Sequence, residues 1–328
     1  MIYVGTVGEG LFRSRDGGVS FSRESEGLFL EADVRALAVS PNNPKHLYAG
    51  TNMGLYFSED GGDHFERLPG AFDPGEGWMG GVAIWSILIL PGAPEVLLVG
   101  TCPSNLYRSE DGGKSWQTVA TELSPECVAI RFPRVTCLLA DPENPRHLWA
   151  GVEIDGVHKS EDAGLSWKRI GEGLSSADIH SLVALPGKNA SGERHLLAST
   201  NNDQNLSLDG GKTWIPQNVK SKFQWGYCRG LWQKPDEPNV IFQGNGNGPP
   251  GSEGAIQISR DSGATWTVAT LPCLPNSTIW EFAASKSAPE TVYAYSVSGQ
   301  VFATHDTGAT WVKLAREFGE IRSMCILP

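Results

Sequence analysis

Several features are scarce in this chain, and each scarcity disfavours a class of protein. Basic residues are outnumbered, with 26 Lys and Arg against 37 Asp and Glu, for a formal charge of −11. Because a nucleic-acid-binding protein usually has a net basic face, that class is disfavoured. The strongest apolar run, residues 82–90, is too short to span a bilayer. The N-terminus lacks a basic segment followed by an apolar core, so we expect no secretory signal.

Cysteines are few and irregularly spaced. None of the six forms a Cys-x-x-Cys pair, and Cys137 and Cys325 lie within apolar strand patterns. Such cysteines are typically reduced structural thiols, which predicts a cytoplasmic location. A phosphate-binding loop is also missing, because the Gly-rich segment 244–254 lacks the Lys and the following helix that such a loop requires.

The sequence does contain one motif seven times, Ser/Thr-x-Asp-x-Gly-x-x-aromatic. Its aspartates are 44, 51, 51, 47, 52 and 45 residues apart, a period typical of propeller blades or solenoids. Each copy lies between two short strand patterns, which favours a propeller and places the motif in a hairpin turn. There Asp accepts backbone hydrogen bonds, Gly adopts a conformation that other residues resist, and the aromatic ring packs between blades. The aspartates are Asp16, Asp60, Asp111, Asp162, Asp209, Asp261 and Asp306.

These motifs resemble the Asp box of the bacterial neuraminidase repeat family. Relatives in that family include sialidases, xyloglucanases, sortilin-type receptors and a photosystem II assembly factor. The resemblance covers the whole chain and implies a β-propeller of the sialidase and sortilin type. It also implies that the Asp boxes are structural and remote from ligand sites. We therefore do not expect the seven aspartates to be catalytic.

We predict an all-β, seven-bladed propeller of four-stranded antiparallel blades, forming one domain over residues 1–328. Only two strands precede the first Asp box, and the C-terminal segment 321–328 matches the first strand of the other blades. We expect this segment to complete the first blade and close the ring, which removes an open sheet edge. The predicted blades are residues 321–328 with 1–24, 33–68, 82–119, 134–170, 179–218, 227–269 and 279–314.

The loops of a propeller lie on two faces. With the strands of each blade named A to D from the channel outwards, the A–B turns and the Asp boxes share one face, here called the Asp-box face. The D–A and B–C loops share the other, here called the variable face, and they differ from blade to blade. Because function usually lies where a rigid scaffold carries irregular loops, we place the site on the variable face, at the mouth of the central channel.

One aligned position near the start of the A strands has an unusual composition for packing. We call it the A-strand column; in blade order it comprises Arg322, Arg35, Trp85, Thr136, His180, Arg229 and Trp280. Arginine presents a planar charged fork that matches carboxylate or phosphate, and tryptophan offers a flat apolar wall. The alternative is that the arginines pair with neighbouring acids, such as Asp33 and Glu320, in a solvated tunnel. The residues predicted to bind substrate are Arg35, Arg229, Arg322, Trp85, Trp280 and Arg134.

Candidates for acid–base chemistry lie beside this column. Glu153 and Asp155 share one B–C loop, and Asp178 precedes His180 where the next blade begins. An acid beside His180 can orient and charge it. The alternative is that these acids are solvated loop residues. We predict no cofactor, with a divalent cation near Glu153, Asp155 and His180 as the alternative.

Glycoside cleavage requires two carboxyl groups facing one cleft. Tyr227 is a further candidate, as nucleophile or acid, because the nearby Arg229 would favour its phenolate. No motif selects a carboxylate pair among Glu76, Glu126, Glu153, Asp155, Asp203 and Glu281.

These patterns predict a soluble propeller enzyme, either a glycosidase-like hydrolase or a lyase, that binds an anionic small molecule or acidic carbohydrate. The alternative is a non-catalytic binding or assembly propeller. We expect neither a nucleic-acid partner nor a membrane span, and the sequence leaves the oligomeric state open.

Overall fold

Antiparallel β-sheet dominates the computed structural model of the chain, which describes residues 1–23, 25–70, 82–119, 121–124, 127 and 131–328. Within this part of the chain, 27 strands form seven sheets, which confirms the predicted all-β, seven-bladed propeller. A short 3-10 helix covers Val219–Ser221. No helix in the described ranges is long and apolar enough to cross a bilayer. Cys102, Cys137, Cys228, Cys273 and Cys325 are free thiols.

Six sheets contain four strands in chain order. The second blade comprises β3 (Val34–Val39), β4 (Leu47–Thr51), β5 (Gly54–Ser58) and β6 (Glu66–Arg67). The third comprises β7 (Ala83–Ile89), β8 (Leu97–Cys102), β9 (Leu106–Ser109) and β10 (Gln117–Thr118). The fourth comprises β11 (Val135–Ala140), β12 (Leu148–Val152), β13 (Gly156–Ser160) and β14 (Lys168–Ile170).

The remaining four-stranded blades follow the same order. The fifth comprises β15 (Ile179–Lys188), β16 (Arg194–Thr200), β17 (Gln204–Ser207) and β18 (Ile215–Pro216). The sixth comprises β19 (Tyr227–Gln233), β20 (Ile241–Gly246), β21 (Gly254–Ser259) and β22 (Thr267–Val268). The seventh comprises β23 (Ile279–Ser285), β24 (Ala288–Ser296), β25 (Val301–Thr304) and β26 (Val312–Lys313).

The first blade joins the two ends of the chain. Its strands are β2 (Leu11–Ser14), β1 (Ile2–Thr6) and β27 (Ile321–Ile326), in that order across the sheet. The backbone amide of Leu327 donates to the carbonyl of Met1 at 2.9 Å, and ring closure by the C-terminal strand is thus confirmed. This sheet has three strands, and its fourth position holds an isolated bridge between Arg13 and Ser22.

The Asp boxes share one closed hydrogen-bond arrangement, seen clearly in the fourth blade. The hydroxyl of Ser160 donates to Asp162 and accepts from the amide of Gly164, both at 2.8 Å. Asp162 also accepts from the amide of Ser166 at 2.9 Å and from its hydroxyl at 2.5 Å. The indole of Trp167 donates to the carbonyl of Gly164 at 3.2 Å. The motif thus fixes its own turn, as its residue types predict.

Among the described hydrogen bonds, six of the seven turns are also tied to the A–B turn of their own blade. The amide of Ala163 donates to the carbonyl of Arg146 at 2.9 Å, and that of Gly210 to Arg194 at 3.0 Å. The A–B turns and the Asp boxes therefore lie together.

Small residues in the B strands allow neighbouring blades to approach closely. A Cβ atom built on Gly50 would lie 2.5 Å from Ile84 of the next blade, and one on Gly100 would lie 2.5 Å from Val135. Such distances are well inside van der Waals contact, so the A strand of one blade packs directly against the backbone of the preceding one. This brings the A strands into a narrow ring around the channel.

Candidate functional site

The A strands carry β-bulges at one shared level. Regular pairing shifts between Val34 and Ala36, between Ile84 and Ser86, and between corresponding residues of the other blades. The residue inside each shift belongs to the A-strand column, as Arg35 and Trp85 do here. A bulge residue is left out of the strand pairing, and its side chain points in a different direction. All seven column residues line one cavity of about 300 Å³ within the channel.

Arginine and tryptophan side chains stack across this channel. The guanidinium carbon of Arg229 lies 4.0 Å from the ring centroid of Trp280, and that of Arg322 lies 4.5 Å from the same ring. Around Trp85, Arg134 stacks at 4.4 Å and Arg35 at 4.7 Å. Each such contact is worth roughly 0.5–2 kcal/mol. The stacking fixes the guanidinium planes before any ligand arrives.

Three of these arginines have acidic partners. Arg35 pairs with Asp33 at 2.8 Å, Arg322 with Glu320, and Arg134 with Glu153. For Arg35 and Arg322 the structure thus contains the ion pairs that the alternative reading of the sequence predicted.

Arg229 differs from the other three arginines. It is 6% exposed and forms no ion pair with any described residue. Its guanidinium lines both the narrow cavity and a wider one above it. Arg229 is therefore the arginine whose charge is directed at the cavity.

The wider cavity has a volume of about 720 Å³. Residues of B–C and D–A loops line it, which puts it on the variable face, and its polar wall is formed by Arg134, Glu153, Asp178, His180, Tyr227, Arg229 and Arg322. Volumes of about 300–1,000 Å³ are typical of small-molecule sites. The structure thus brings eight of the predicted site residues to one cavity, these seven and Trp280.

His180 is buried and has a defined orientation. Its Nδ1 atom lies 2.6 Å from the carbonyl oxygen of Cys228, an acceptor, so Nδ1 carries the hydrogen. Its Nε2 atom lies 3.4 Å from Oδ1 of Asp178. Burial is the main cause of a lowered pKa for His180, and the charge of Arg229 adds to it, against the opposing effect of Asp178. The lowered pKa favours the neutral ring, in which Nε2 carries the lone pair.

The two carboxylates beside His180 have pKa values shifted in opposite directions. Burial raises the pKa of Glu153, although the charge of Arg134 opposes the shift. Burial would also raise the pKa of Asp178, but the hydrogen bond and charge of the protonated His180 ring and the charge of Arg229 lower it by more. Ligand atoms of Glu153, Asp178 and His180 all lie within 4.8 Å of one another. This cluster can share a proton or hold a cation.

Asp155 lies apart from this cluster, contrary to its prediction as a partner of His180. It accepts hydrogen bonds from the amide and hydroxyl of Ser124 at 3.0 and 3.1 Å. It also lies 3.2 Å from Nε2 of His158 and 3.5 Å from Nε of Arg169. The reason is local geometry: Ile154 has φ +68°, which turns the chain between Glu153 and Asp155. Asp155 thus holds the loop together.

Tyr227 lies in the cavity wall, with its ring centroid 5.1 Å from that of His180. Its pKa is raised, because burial outweighs the opposing charge of Arg229. Arg229 does favour the phenolate, through its charge and a hydrogen bond, but burial has the larger effect and the net shift of the pKa is upward.

The other carboxylate candidates lie elsewhere. Asp203 accepts hydrogen bonds from three backbone amides, including that of Gln204 at 2.8 Å, and so orders its loop. Glu281 lines the narrow cavity, and burial raises its pKa to about 8. Glu76 and Glu126 lie outside the described residues. Glu153 and Asp178 are thus the two candidates that share the wide cavity.

Further cavity residues escaped the sequence reasoning. Asn201, Ser298 and Phe318 line the cavity, as do Pro249 and Pro250. The two prolines belong to the long Gly-rich insertion of the sixth blade. The length of that loop was the feature of the sequence that could have indicated them. Asn201 and Ser298 lie in short B–C turns whose sequences resemble ordinary turns.

Comparisons with known proteins find relatives of low identity, xyloglucanases among them. No family model matches the chain. It is 24% identical over 291 residues to a probable oligoxyloglucan-reducing end-specific xyloglucanase from Neosartorya fischeri. That alignment covers 74% of this chain and 35% of the relative, so the chain spans about a third of that protein's length.

Solved structures show the same architecture. A GH74 enzyme from Niastella koreensis superposes with a TM-score of 0.59 at 14% identity, over 97% of this chain and 65% of that one. A putative 6-phosphogluconolactonase from Bacteroides fragilis gives a TM-score of 0.65 at 12% identity, over 98% and 96% of the two chains. The chain is thus a seven-bladed propeller with xyloglucanase-like homologues.

Proposed function

We propose that this propeller is a glycosidase-like hydrolase whose substrate is a small saccharide bearing a carboxylate. The observation that carries the proposal is the position of Arg229. Its buried guanidinium has no described acidic partner, is stacked on Trp280, and lines the same cavity as Glu153, Asp178 and His180. Carbohydrate as the substrate class is supported by the xyloglucanase relative.

Recognition would rest on Arg229 and its neighbours. A guanidinium fork binds a carboxylate through two parallel hydrogen bonds, and the lack of a described acidic partner leaves Arg229 available for a ligand. Arg322, stacked on the same indole, adds a second positive charge. The exposed part of Trp280 would pack against the sugar ring, as flat apolar surfaces do.

Chemistry would rest on Glu153, Asp178 and His180. Glycoside cleavage requires a group that protonates the leaving oxygen and another that activates water or attacks the sugar. Two carboxylates and a neutral imidazole within 4.8 Å of one another provide such groups in the wall of one cavity. The cavity volume favours a short saccharide over a long polymer segment.

Binding of matched sugars tests recognition. We expect glucuronate and galacturonate to bind more tightly than glucose and galactose in titration calorimetry. The variant Arg229→Met should bind the acidic sugars roughly 10- to 100-fold more weakly, because a charge-assisted bond is lost. Arg260→Met, on the Asp-box face, is the matched control and should bind as the wild type does. Equal affinity for acidic and neutral sugars would refute the carboxylate proposal.

Turnover tests the chemistry separately. A p-nitrophenyl glucuronide should release nitrophenol faster than the corresponding glucoside, and Glu153→Gln and Asp178→Asn should each abolish that release. Binding of the acidic sugar without cleavage of any glycoside in a broad panel would identify the propeller as a non-catalytic binding module.

A further inference from the structure

The geometry points to a divalent transition-metal site formed by Glu153, Asp178 and His180, at the wall of the wide cavity. One ligand atom from each residue lies within 4.8 Å of the other two. A metal ion about 2.0–2.2 Å from nitrogen and oxygen ligands holds them about 3–4 Å apart. Side-chain rotations that move the ligand atoms by about 1 Å would bring them to this spacing. No other trio of His, Cys, Asp or Glu in the described ranges converges in this way.

The tautomer of His180 is the first argument. Its Nδ1 hydrogen is donated to the carbonyl of Cys228, so Nε2 presents a lone pair to Asp178 and Glu153. A metal-binding histidine is held in the same way, with its second ring nitrogen donating to a backbone carbonyl or carboxylate. The side chain is 1% exposed, so this orientation is fixed by packing.

The second argument is a buried oxygen without a hydrogen bond. Oδ1 of Asp178 lies 3.4 Å from Nε2 of His180, and in the neutral ring these two atoms are both acceptors. Within the described part of the chain, this oxygen is buried without a hydrogen-bond partner. Glu153 is held beside it by an ion pair between its Oε2 atom and Nε of Arg134. A cation would satisfy the oxygen of Asp178 and the lone pair of Nε2 together.

The ligand types select the kind of metal. Mg²⁺ and Ca²⁺ prefer shells made entirely of oxygen. One imidazole with two carboxylates suits Zn²⁺ or Mn²⁺, and three protein ligands leave open positions. Those positions face the cavity, where Arg229 and Arg322 offset the negative charge of a ligand carboxylate. Metal binding does not depend on the proposed function, whereas its use in sugar cleavage does.

A neighbouring histidine–carboxylate pair supplies a natural control. Asp155 and His158 are also buried and in contact, but Asp155 is already satisfied by two hydrogen bonds from Ser124. This pair lacks a third ligand and should not bind the metal.

The test is metal binding to protein stripped with a chelator, with no sugar present. Titration calorimetry with Zn²⁺ or Mn²⁺ should show one saturable site per chain and a raised melting temperature, whereas Mg²⁺ and Ca²⁺ should have little effect. Asp178→Asn and His180→Gln should weaken binding at least 100-fold, whereas Asp155→Asn should bind as the wild type does. Glu281→Gln serves as a second control if Asp155→Asn is poorly folded.

The visible absorption of bound Co²⁺ reports on the ligands of the metal and would not change through an effect on fold stability alone. The visible absorption of the Co²⁺ form should change in Glu153→Gln, whose stripped form should melt as the wild type does. Absence of a one-to-one site in the wild type, or equal loss in Asp155→Asn and Asp178→Asn, would overturn the assignment. If stripped wild-type protein binds glucuronate but no metal, the metal site is wrong and the proposed function stands.

Discussion

Polar side chains are hydrogen-bonded differently on the Asp-box face and at the channel mouth. In all seven Asp boxes the Ser or Thr hydroxyl donates to the Asp and accepts from the Gly amide. At the mouth, one buried oxygen of Asp178 and one buried nitrogen each of Arg35 and Arg322 lack a hydrogen bond to any described residue, although both arginines form ion pairs through other atoms. Repetition therefore marks turns whose Ser or Thr, Asp and Gly residues satisfy one another, although the indole nitrogen of Trp311 in the last box has no hydrogen bond to a described residue. The part that varies between blades is left to interact with something else.

The largest expected effect comes from opening the ring. Deleting residues 321–328 removes β27, exposes the edge of β1 and leaves the first blade with two strands. We expect no cooperative melting transition by circular dichroism, because the Asp-box face cannot hold an open ring. Deleting Pro328 alone is the control and should melt as the full chain does. A truncated chain with an unchanged melting temperature would show that each blade is stable without closure.

At the channel mouth we expect function and stability to separate. Arg229→Met should lose most sugar binding, while its free energy of unfolding stays the same or rises by about 1 kcal/mol, because a buried charge without an ion pair is removed. Chemical denaturation with parallel titration calorimetry measures both quantities. A loss of more than about 2 kcal/mol would mean that Arg229 is structural.

On the Asp-box face we expect the reverse, a loss of stability without a loss of sugar binding. Ser160→Ala removes the hydroxyl that bridges Asp162 and the amide of Gly164. It should lower the free energy of unfolding by about 1–3 kcal/mol, the usual effect of leaving a buried amide unsatisfied, without changing sugar affinity. Glu161→Gln in the same turn is a control that keeps the bridge. Weaker sugar binding in Ser160→Ala would show that the two faces are coupled.

The smallest effect is a dependence of stability on pH. Hydrogen bonds from Ser20, Ser115 and Thr310, first from their hydroxyls, lower the pKa values of Asp16, Asp111 and Asp306 to about 2. Since an unfolded Asp titrates near pH 4, these carboxylates stabilise the fold fully above that pH. Their contribution is lost as the pH falls through about 2. Melting temperatures of the triple Asp→Asn variant should fall less steeply between pH 4 and 2; an unchanged slope would contradict this.

The sequence predicted the fold well because its repeated turns are local. Each Asp box encodes its own hairpin, and seven hairpins at a regular period leave few architectures other than a ring. The match of residues 321–328 to the other A strands also identified the closing strand.

The site was predicted in part. The A-strand column emerged from alignment, since one strand position repeats around the ring. The predictions for Asp155 and Tyr227 failed because they depend on a single dihedral angle and on burial. No pattern signals that Ile154 adopts positive φ and sends Asp155 away from Glu153, or that burial outweighs Arg229 at Tyr227. Whether Arg229 forms an ion pair likewise depends on which acids the folded loops bring near it.

The bulges of the A strands have a consequence for how such a protein changes over time. Backbone pairing resumes on both sides of each bulge, as it does at Ile84 and Ser86 around Trp85. The side chain at that point is therefore not required for the backbone ladder, although Thr136 and His180 also hydrogen-bond to backbone carbonyls. Seven positions around one channel can each offer a different chemical group to the same space. Substitutions at a few of these sites can in this way change which ligand the propeller binds, while the repeated turns that specify the fold stay the same.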